Sequence, residues 1–431
     1  MNQPARLWRC GAHTFALDAP LLMGILNVTP DSFSDGGQHA EFAQAVAFGH
    51  ALVEAGAAIV DVGGESTRPG SVPPFEDEEL RRVVPVVREL AACGIAVSVD
   101  TRHAAVAAAA LEAGACIVND VAGFRDAAMC DVAAGGDAGL VVMHMLGEPH
   151  TMQDEPAYAD VVADVEAYLL AAARRLEASG VAPERICLDP GVGFGKTLEH
   201  NERLLAATSR LAAHGYPLMV AVSRKSYIGA RSGIEAPAGR DLPSALCAAA
   251  ACADGARIAR VHDVALTRSV LQRSRRAVIA LGGNVGDASA TLDAALHDLR
   301  ASEGVWVARV SPYVQSEPAY YAEQPPFANA VAIVQTTRSP SELLELCHGI
   351  EQVYGRVRGV ENGPRTLDLD IVDYEGAVSA DPALTLPHPR ALERAFVVEP
   401  LLAIAPGYML ADGTPVTRDG VCVGALIDAA R

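Results

Sequence analysis

The first 265 residues alternate between short apolar runs and longer stretches that are rich in alanine, leucine and valine. Eight of the runs end in polar residues, and they are Leu21–Val28, Ala58–Gly64, Ala96–Asp100, Cys116–Asp120, Gly139–Met145, Ile186–Gly191, Pro217–Lys225 and Arg257–Asp263. Apolar runs of this length between helical stretches are typical of buried parallel strands. Eight of them predict an α/β fold of the (β/α)8 TIM barrel type, whose active site lies at the carboxyl ends of the strands. The pattern therefore predicts an enzyme.

The stretches between the runs predict helices that cover a barrel. Apolar residues recur at helical spacing over 42–55 and 80–92, and 103–113 is mostly alanine. The segment Arg68–Glu79 contains three prolines and several charges. We therefore expect a long loop over Arg68–Glu79 rather than a helix.

A different pattern begins after a short basic link, Gln272–Arg276. Predicted strands and helices then follow in the order β-α-β-β-α-β, which is typical of an α+β ferredoxin-like sandwich. The predicted strands cover 277–287, 305–316, 327–336 and 366–374, and the helices lie near 289–303 and 339–354.

The length of the chain fits one barrel and one further domain. A barrel takes about 250 residues, and the chain has 431. We predict a first domain over 1–271, a linker over 272–276 and a second domain over 277–431.

Composition and net charge restrict the kinds of partner and the cellular compartment that we expect. The formal net charge of −19 argues against nonspecific binding to nucleic acid or to an anionic membrane. The sequence shows neither an unbroken apolar span of about 18 residues nor a signal peptide in its first 20 positions. Nine scattered cysteines without CxxC spacing predict reduced thiols in a cytoplasmic protein.

The polar strand ends of the barrel divide into two chemical groups. Side chains suited to a flat, nitrogen-rich heterocycle are Asp100, Asn119, Asp189 and Lys225. Side chains suited to a phosphate group, with a hard cation on the first of them, are Asn27, Arg68, Arg260 and His262. Taken singly, such an aspartate can equally be a helix cap and such an arginine a surface ion pair. Polar residues at all these strand ends together favour a ligand site.

Residues 21–264 resemble dihydropteroate synthase in the order and spacing of the segments GILNVTPDSFSDGG, DVGGESTRPG, VSVDT, IVND, MHMLGEPHTMQ, LDPGVGFGK, SRKS and RVHDV. That family joins 6-hydroxymethyl-7,8-dihydropterin pyrophosphate to p-aminobenzoate, which yields dihydropteroate and pyrophosphate. The resemblance implies a pterin site at Asp100, Asn119, Asp189 and Lys225. It implies a site for pyrophosphate and magnesium at Asn27, Arg68, Arg260 and His262. It implies a p-aminobenzoate site at Phe33, Thr67, Pro69 and Ser226.

The implied mechanism needs no serine or cysteine nucleophile, because the arylamine is itself nucleophilic. Arg260 and His262, with magnesium, would stabilise the charge on the leaving pyrophosphate. Asp100 would favour a cationic pterin intermediate, and Lys225 completes the expected catalytic set. We expect the loops 31–37 and 68–74 to close over the substrates.

The strongest motif of the second domain is GPRTLDLDI, Gly363–Ile371. On a strand, Asp368 and Asp370 point to the same face, and two carboxylates on one face suit Mg²⁺. Such a pair alone is more often a solvated strand face. Arg356, Arg358 and Arg365 shift the balance towards a nucleotide-phosphate site.

Residues 277–406 resemble 6-hydroxymethyl-7,8-dihydropterin pyrophosphokinase through LGGNVGD, FANAV, GRVR, GPRTLDLDI and LPHPRALERAFV. That family transfers pyrophosphate from ATP to the pterin alcohol. The resemblance implies that two magnesium ions bind Asp368 and Asp370. It implies ATP contacts at Arg356, Arg365, His388 and Arg394, the first two of them catalytic, and a pterin site at Phe327, Asn329 and Phe396. Asn362 stands where the family often has an aromatic residue.

The two resemblances together predict a bifunctional transferase of folate biosynthesis, in which the second domain makes the substrate of the first. One alternative is a dihydropteroate synthase whose second domain is a non-catalytic binding or assembly module. Another is a pterin-binding methyltransferase barrel, which the presence of both NVTPDSFSDGG and SRKS disfavours. The expected partners are small molecules and, by resemblance, a second copy of the chain that binds through the barrel.

Overall fold

A computed structural model describes residues 7–28, 37–65, 75–148, 151–319, 323–356 and 363–427. The chain divides into two compact units. The first unit comprises Met1–Ala230 and Ile234–Ser269, and the second comprises Arg231–Gly233 and Val270–Arg431. Within the described ranges, no helix has the length and apolar character needed to cross a membrane.

The first unit opens with a hairpin that the sequence did not lead us to expect. Its strands, β1 (Leu7–Cys10) and β2 (His13–Ala16), are antiparallel. Trp8 is fully buried, and its Nε1 donates a hydrogen bond of 3.0 Å to the carbonyl oxygen of Arg185. Trp8 packs with residues at the amino ends of the barrel strands, such as Ile117. The hairpin therefore closes the end of the barrel that lies opposite the predicted site.

Eight parallel strands form the barrel, which confirms the predicted fold. They are β3 (Leu21–Asn27), β4 (Ile59–Gly63), β5 (Val97–Asp100), β6 (Ile117–Asp120), β7 (Gly139–Met143), β8 (Ile186–Asp189), β9 (Met219–Val220) and β10 (Ile258–Val261). They pair in the order β8-β7-β6-β5-β4-β3-β10-β9. A parallel bridge between Leu188 and Leu218 joins the two edges of this sheet. Each strand is shorter than its apolar run, and several strands end on the polar residue itself, as β5 does at Asp100 and β8 at Asp189.

Ten α-helices are described between Gly37 and Arg273. They are α1 (Gly37–Ala55), α2 (Glu76–Ala92), α3 (Ala104–Glu112), α4 (Ala127–Ala134), α5 (Val161–Ala178), α6 (Leu198–Ala206), α7 (Thr208–Ala212), α8 (Ser226–Ser232), α9 (Asp241–Ala253) and α10 (Val264–Arg273). The loop predicted over Arg68–Glu79 was wrong at its end, because α2 begins at Glu76. The four acidic residues of the first turn interact favourably with the positive amino-terminal end of the helix dipole.

The second unit is a sheet with helices on both faces. Its strands are β11 (Arg275–Gly283), β12 (Val305–Val310), β13 (Val314–Ser316), β14 (Phe327–Thr336), β15 (Asp368–Tyr374), β16 (Ser379–Asp381), β17 (Leu384–Leu386) and β18 (Leu426–Ile427). Its helices are α11 (Ala288–Ala301), α12 (Pro340–Val353) and α13 (Ala395–Ile404). The main sheet has the order β15-β11-β14-β13-β18, and β12 also pairs with β14.

The predicted β-α-β-β-α-β order is confirmed as β11-α11-β12-β14-α12-β15. Neighbouring residues of β11 serve opposite faces: Ile279 packs with Leu296 and Leu343, whereas Val278 packs with Val398. The single strand predicted over 305–316 is two strands, because Pro312 lies between them and has no backbone N–H. Residues 272–276, predicted as a linker, lie at the end of α10 and the start of β11.

Candidate active sites

Arg260 is the hub of the polar side chains at the barrel mouth. From β10, its Nε donates to Oδ2 of Asp61 and its Nη2 donates to Oδ2 of Asp100, both at 2.6 Å. Asn119 of β6 donates from Nδ2 to the same oxygen of Asp61 at 3.1 Å. The structure thus brings Asp100, Asn119 and Arg260 together, as the sequence predicted.

Asp61 is a polar residue of this site to which the sequence analysis gave no role. It lies in β4, is fully buried, and joins Arg260 to Asn119. An aspartate in the middle of an otherwise apolar strand was the available signal, since a buried carboxylate needs a charged or hydrogen-bonding partner.

Asp189 and Lys225 meet at the segment that follows β8. Oδ1 of Asp189 accepts a hydrogen bond of 2.8 Å from the backbone N–H of Gly191. Nζ of Lys225 donates to the carbonyl oxygen of Val192 at 2.5 Å and lies 4.4 Å from the ring centroid of Phe194. A carboxylate, an ammonium and an aromatic face are therefore close together at one edge of the mouth.

Burial dominates the electrostatics of this pocket. It raises the pKa of Asp100 to about 7, although Arg260 and its positive charge act in the opposite direction. Burial also raises the pKa of Asp189, against the effect of Lys225. It lowers the pKa of Lys225 to about 8, partly offset by Asp189. Ionisable groups with shifted pKa values in one concave site are typical of catalysis.

Asn27 and His262 line a separate cavity of about 590 Å³ between α1 and the start of α10. The backbone N–H of His262 donates to Oγ of Ser223 at 3.1 Å, and its Nδ1 lies 3.0 Å from the same oxygen. Ser226, predicted at the p-aminobenzoate site, begins α8 and is exposed. Four other predicted residues lie outside the described ranges: Phe33, Thr67, Arg68 and Pro69. The loops 31–37 and 68–74 lie largely outside them too.

A largely buried acidic cluster lies near Asp100, beyond the carboxyl ends of β4 and β5. It consists of Glu65, Glu79 and His103. Each has one atom of a kind that can bind a metal ion, and these three atoms lie within 4.8 Å of one another. Arg102 contacts both carboxylate oxygens of Glu65 at 3.2 Å. Glu79 is fully buried; the side chain of Thr101 hydrogen-bonds to its carboxylate, and Nε2 of His103 lies 3.8 Å from its Oε2. Burial raises the pKa of Glu79, so its neutral form suits this position better than the ionised one.

The second unit has its own polar cavity, of about 280 Å³. Both aspartates of the sequence motif line it, and each faces arginine. Nη2 of Arg356 lies 2.6 Å from Asp368, and Nη2 of Arg365 lies 3.0 Å from the other oxygen of that carboxylate. Nη1 of Arg394 lies 3.3 Å from Asp370. Carboxylates and arginines that converge in this way suit a metal-bound polyphosphate.

Aromatic and amide groups form the other side of this cavity. Phe327, Asn329 and Phe396 all line it, as does His388. The guanidinium carbon of Arg365 lies 5.1 Å from the ring centroid of Phe327. Nδ2 of Asn329 donates to Oγ of Ser316 at 3.0 Å. Every residue that the sequence predicted for the second site is therefore at one cavity, except Arg358, which lies outside the described ranges, as does Asn362.

Glu351 is the residue of the second site that the sequence analysis missed. It is buried on α12, accepts a hydrogen bond of 2.8 Å from the backbone N–H of Leu369 and pairs with Arg356. Glu351 therefore links Arg356, a predicted ATP contact, to β15, the strand that carries Asp368 and Asp370. The signal was a glutamate on the apolar face of a helix, which is rarely buried unless it is paired.

Comparison with known proteins gives a match for each unit. Residues 23–262 match the family model of pterin binding enzymes. Residues 278–406 match the model of 7,8-dihydro-6-hydroxymethylpterin-pyrophosphokinase. Dihydropteroate synthase of Neisseria meningitidis serogroup C is 46% identical over 270 residues, which cover 62% of this chain and 95% of that protein. Dihydropteroate synthase of Escherichia coli strain K12 is 45% identical over 249 residues, 58% of this chain and 88% of the relative.

Solved structures of dihydropteroate synthases are also similar to part of the chain. Xanthomonas albilineans dihydropteroate synthase with 4-aminobenzoic acid has a TM-score of 0.59 and 43% identity, over 62% of this chain and 96% of that one. Burkholderia cenocepacia dihydropteroate synthase complexed with 7,8-dihydropteroate has a TM-score of 0.58 and 43% identity, over 63% and 96%.

Proposed function

Because the chain belongs to the pterin binding enzyme family and carries a hydroxymethylpterin pyrophosphokinase unit after its barrel, we propose that one polypeptide runs two consecutive transferase reactions. The second unit transfers pyrophosphate from ATP to 6-hydroxymethyl-7,8-dihydropterin. The first unit joins that product to p-aminobenzoate, which yields dihydropteroate and releases pyrophosphate. The observation that carries the proposal is a separate cluster in each unit where carboxylates and basic side chains converge, Arg260 with Asp100 in the first and Arg356 with Asp368 in the second.

In the first unit, Asp189 and Asn119 bind the polar edge of the pterin, and Lys225 lies beside them. Asp189 already accepts one backbone hydrogen bond, which fixes the direction in which it presents its carboxylate to the donors of the ring. Arg260 and His262 bind the pyrophosphate and stabilise the charge that builds as it leaves. Asp100 stabilises the positive charge that develops on the ring. The arylamine then attacks the methylene carbon and releases its proton.

The p-aminobenzoate assignments rest on the sequence resemblance alone. Phe33, Thr67 and Pro69 lie outside the described ranges, and we propose them together with Ser226. Arg68 completes the proposed pyrophosphate site in the same way.

In the second unit, catalysis consists of positioning and charge neutralisation during phosphoryl transfer. Arg356 and Arg365 act on the ATP phosphates, with His388 and Arg394 as further ATP contacts. Phe327 and Phe396 bind the faces of the pterin, and Asn329 binds its polar edge. The arginines that pair with Asp368 and Asp370 would move to the phosphates when ATP binds.

Magnesium is the metal we propose for both reactions. Asp368 and Asp370 fit it, because they offer hard carboxylate oxygens at the cavity that we assign to ATP phosphates. The amide oxygen of Asn27 is the corresponding ligand in the first unit. When bound, magnesium supplies charge neutralisation for the phosphate oxygens.

We further propose a cytoplasmic homodimer that associates through the barrel. All nine cysteines are free, which supports a reducing compartment. The sequence resemblance to dihydropteroate synthase supports the dimer, and light scattering after size-exclusion chromatography measures it.

A coupled assay with ATP, Mg²⁺, hydroxymethyl-dihydropterin and p-aminobenzoate tests the proposed function. We expect AMP and dihydropteroate to form together. Dihydropteroate formation only from ready-made pterin pyrophosphate, without AMP, would favour the alternative in which the second unit is a binding module.

A further inference from the structure

The chain uses lysine at only two positions. It has 34 lysines and arginines in total, and the only lysines are Lys196 and Lys225. Both contact the segment that follows β8. A guanidinium is planar and donates from a rigid fork, whereas an ammonium is compact and donates in three directions. In a chain this rich in arginine, lysine at these two positions indicates sites shaped for an ammonium.

Lys196 is buried, with an exposed fraction of 3%. Its Nζ lies 2.9 Å from Nδ1 of His144 and donates to the carbonyl oxygens of Phe194 at 2.9 Å and His144 at 3.3 Å. Three acceptors match the three N–H bonds of an ammonium. Burial lowers the pKa of His144 to about 3, so the ring is neutral and we assign the proton to Nε2, which leaves Nδ1 as the acceptor.

The segment 192–195 is held by side chains. Each of its four carbonyl oxygens accepts a side-chain hydrogen bond. The donors to Val192, Gly193, Phe194 and Gly195 are Lys225, Gln153, Lys196 and Tyr158, at 2.5, 2.7, 2.9 and 2.8 Å. Lys196 also bonds to His144, directly after β7, so it joins this segment to the neighbouring barrel strand.

His144 in turn touches the backbone next to Asp189. Its N–H donates to the carbonyl oxygen of Asp189 at 3.1 Å. A side chain at Gly191 would place its Cβ 1.9 Å from the carbonyl oxygen of His144, and φ at Gly191 is +67°. The turn at Gly191, after β8, therefore lies directly against His144. Lys196 hydrogen-bonds to His144 and to Phe194, which follows this turn.

We propose that Lys196 is a positioning residue for the synthase reaction, which holds the turn after β8 so that Asp189, Phe194 and Lys225 face the pterin. The inference rests on the proposed pterin site of the first unit. It also gives a role to the fifth apolar run, which contains His144 and had no role in the sequence analysis.

The geometry has a consequence for pH. Burial lowers the pKa of Lys196 to about 7, with Asp189 opposing and Lys225 adding to the shift. A neutral amine has two N–H bonds for three acceptors and turns a lone pair towards one of them. The turn should therefore loosen, and pterin affinity fall, as pH rises through the titration of Lys196. The polar and charged groups that face this ammonium and its partner ring are His144, Asp189, Lys225, Arg125, Tyr158 and Tyr168.

Lysine labelled with ¹³C at Cε allows a direct test, because the whole protein gives only two lysine resonances. Lys196→Met identifies the resonance of Lys196. The chemical shift and the dissociation constant for the pterin pyrophosphate are followed between about pH 6 and 10. In the wild type, we expect affinity to fall with the same midpoint as the Lys196 resonance.

His144→Leu separates Lys196 from the other titrating groups. It removes one acceptor from the ammonium, and among the contacts described for Lys225 none is to His144. Since a hydrogen bond to the charged form favours that form, we expect both midpoints to move to lower pH by about one unit. Lys196→Met should weaken pterin binding roughly 10- to 100-fold.

His214→Leu is the matched control. His214 lies 2.8 Å from Glu166 in a surface cluster of the same unit, and its loss should leave both midpoints unchanged. A Lys196 midpoint that moves in His144→Leu while the affinity curve stays in place would overturn the positioning role. Should Lys196→Met fail to fold, His144→Leu carries the test. A wild-type enzyme that makes no dihydropteroate would instead contradict the proposed function.

Discussion

Nη2 of Arg260 lies 2.6 Å from the carboxylate of Asp100. The cation that we assign to pyrophosphate and the anion that we assign to the pterin thus neutralise each other in the protein alone. Pyrophosphate bound to Arg260 would weaken the ion pair between Arg260 and Asp100. Asp100 would then be a buried carboxylate with less positive charge beside it. Binding of the leaving group and stabilisation of a cationic ring would then be coupled through one guanidinium.

Asp100→Asn should lower the kcat of the synthase at least about 100-fold, because it removes a preorganised charge near the ring. Its dissociation constant for the pterin pyrophosphate, measured by titration calorimetry, should change much less. Asp120→Asn is the control, since Asp120 ends the next strand and binds backbone N–H groups at 2.7 Å. Equal losses of affinity and turnover in Asp100→Asn would contradict the role.

The pH dependence of the synthase should show Asp100 directly. Its raised pKa of about 7 and its required ionised form mean that kcat/KM falls towards acid, by about tenfold per unit below that value. We expect this acid limb in the wild type and its absence in Asp100→Asn. If the acid limb of kcat/KM persists in Asp100→Asn, a group other than Asp100 causes it.

Asp61→Asn should destabilise the first unit by roughly 1.5–3 kcal/mol, because it removes one of the two carboxylates that hydrogen-bond to the buried Arg260. Urea unfolding followed by fluorescence or circular dichroism measures the change. Asp241→Asn is the control. It removes the carboxylate that pairs with Arg224 at 2.7 Å, in an ion pair more exposed than that of Arg260 with Asp61. It should change stability by less than about 1 kcal/mol. Similar losses in both variants would contradict a special role for Asp61.

Asp368→Asn and Asp370→Asn should abolish AMP release from ATP and hydroxymethyl-dihydropterin. Each variant should still make dihydropteroate at the wild-type rate from ready-made pterin pyrophosphate. Asp373→Asn, on the same strand, is the control, because Asp373 binds Tyr408 and the backbone of Ala411. AMP release that survives in both metal-site variants would argue against the proposed magnesium ligands.

Glu79→Gln should stabilise the protein at alkaline pH. Burial raises the pKa of Glu79, so the native state holds this proton more tightly than the unfolded chain does. Wild-type stability then falls as pH rises above the ordinary value of 4.5, and the amide escapes this loss. We expect little difference near pH 4.5 and a gain of roughly 1–3 kcal/mol near pH 8.5, measured as the difference between urea unfolding curves. A gain that does not depend on pH would exclude the titration of Glu79 as its cause.

Periodicity predicted the barrel because each buried strand is an apolar run with a polar end. It predicted Asp100, Asn119 and Arg260 as neighbours, since strand ends of one barrel meet at one mouth. It gave no role to Asp61, because a polar residue inside a strand becomes functional only through partners from other strands. Lys196 was missed for a related reason: its acceptors are two backbone carbonyls and a ring nitrogen, which leave no mark in residue spacing. The start of α2 was misplaced because charged residues that suit a loop also suit a first helical turn.

The bond between Arg260 and Asp61 joins positions 199 residues apart. Contacts between positions so far apart in sequence form late in folding, because closing the long loop between them costs entropy before the contact stabilises the chain. During synthesis, this centre cannot assemble until β10 has left the ribosome and paired with β3. Until then the nascent barrel exposes unpaired strand edges, and its ability to bind a pterin should appear abruptly rather than strand by strand.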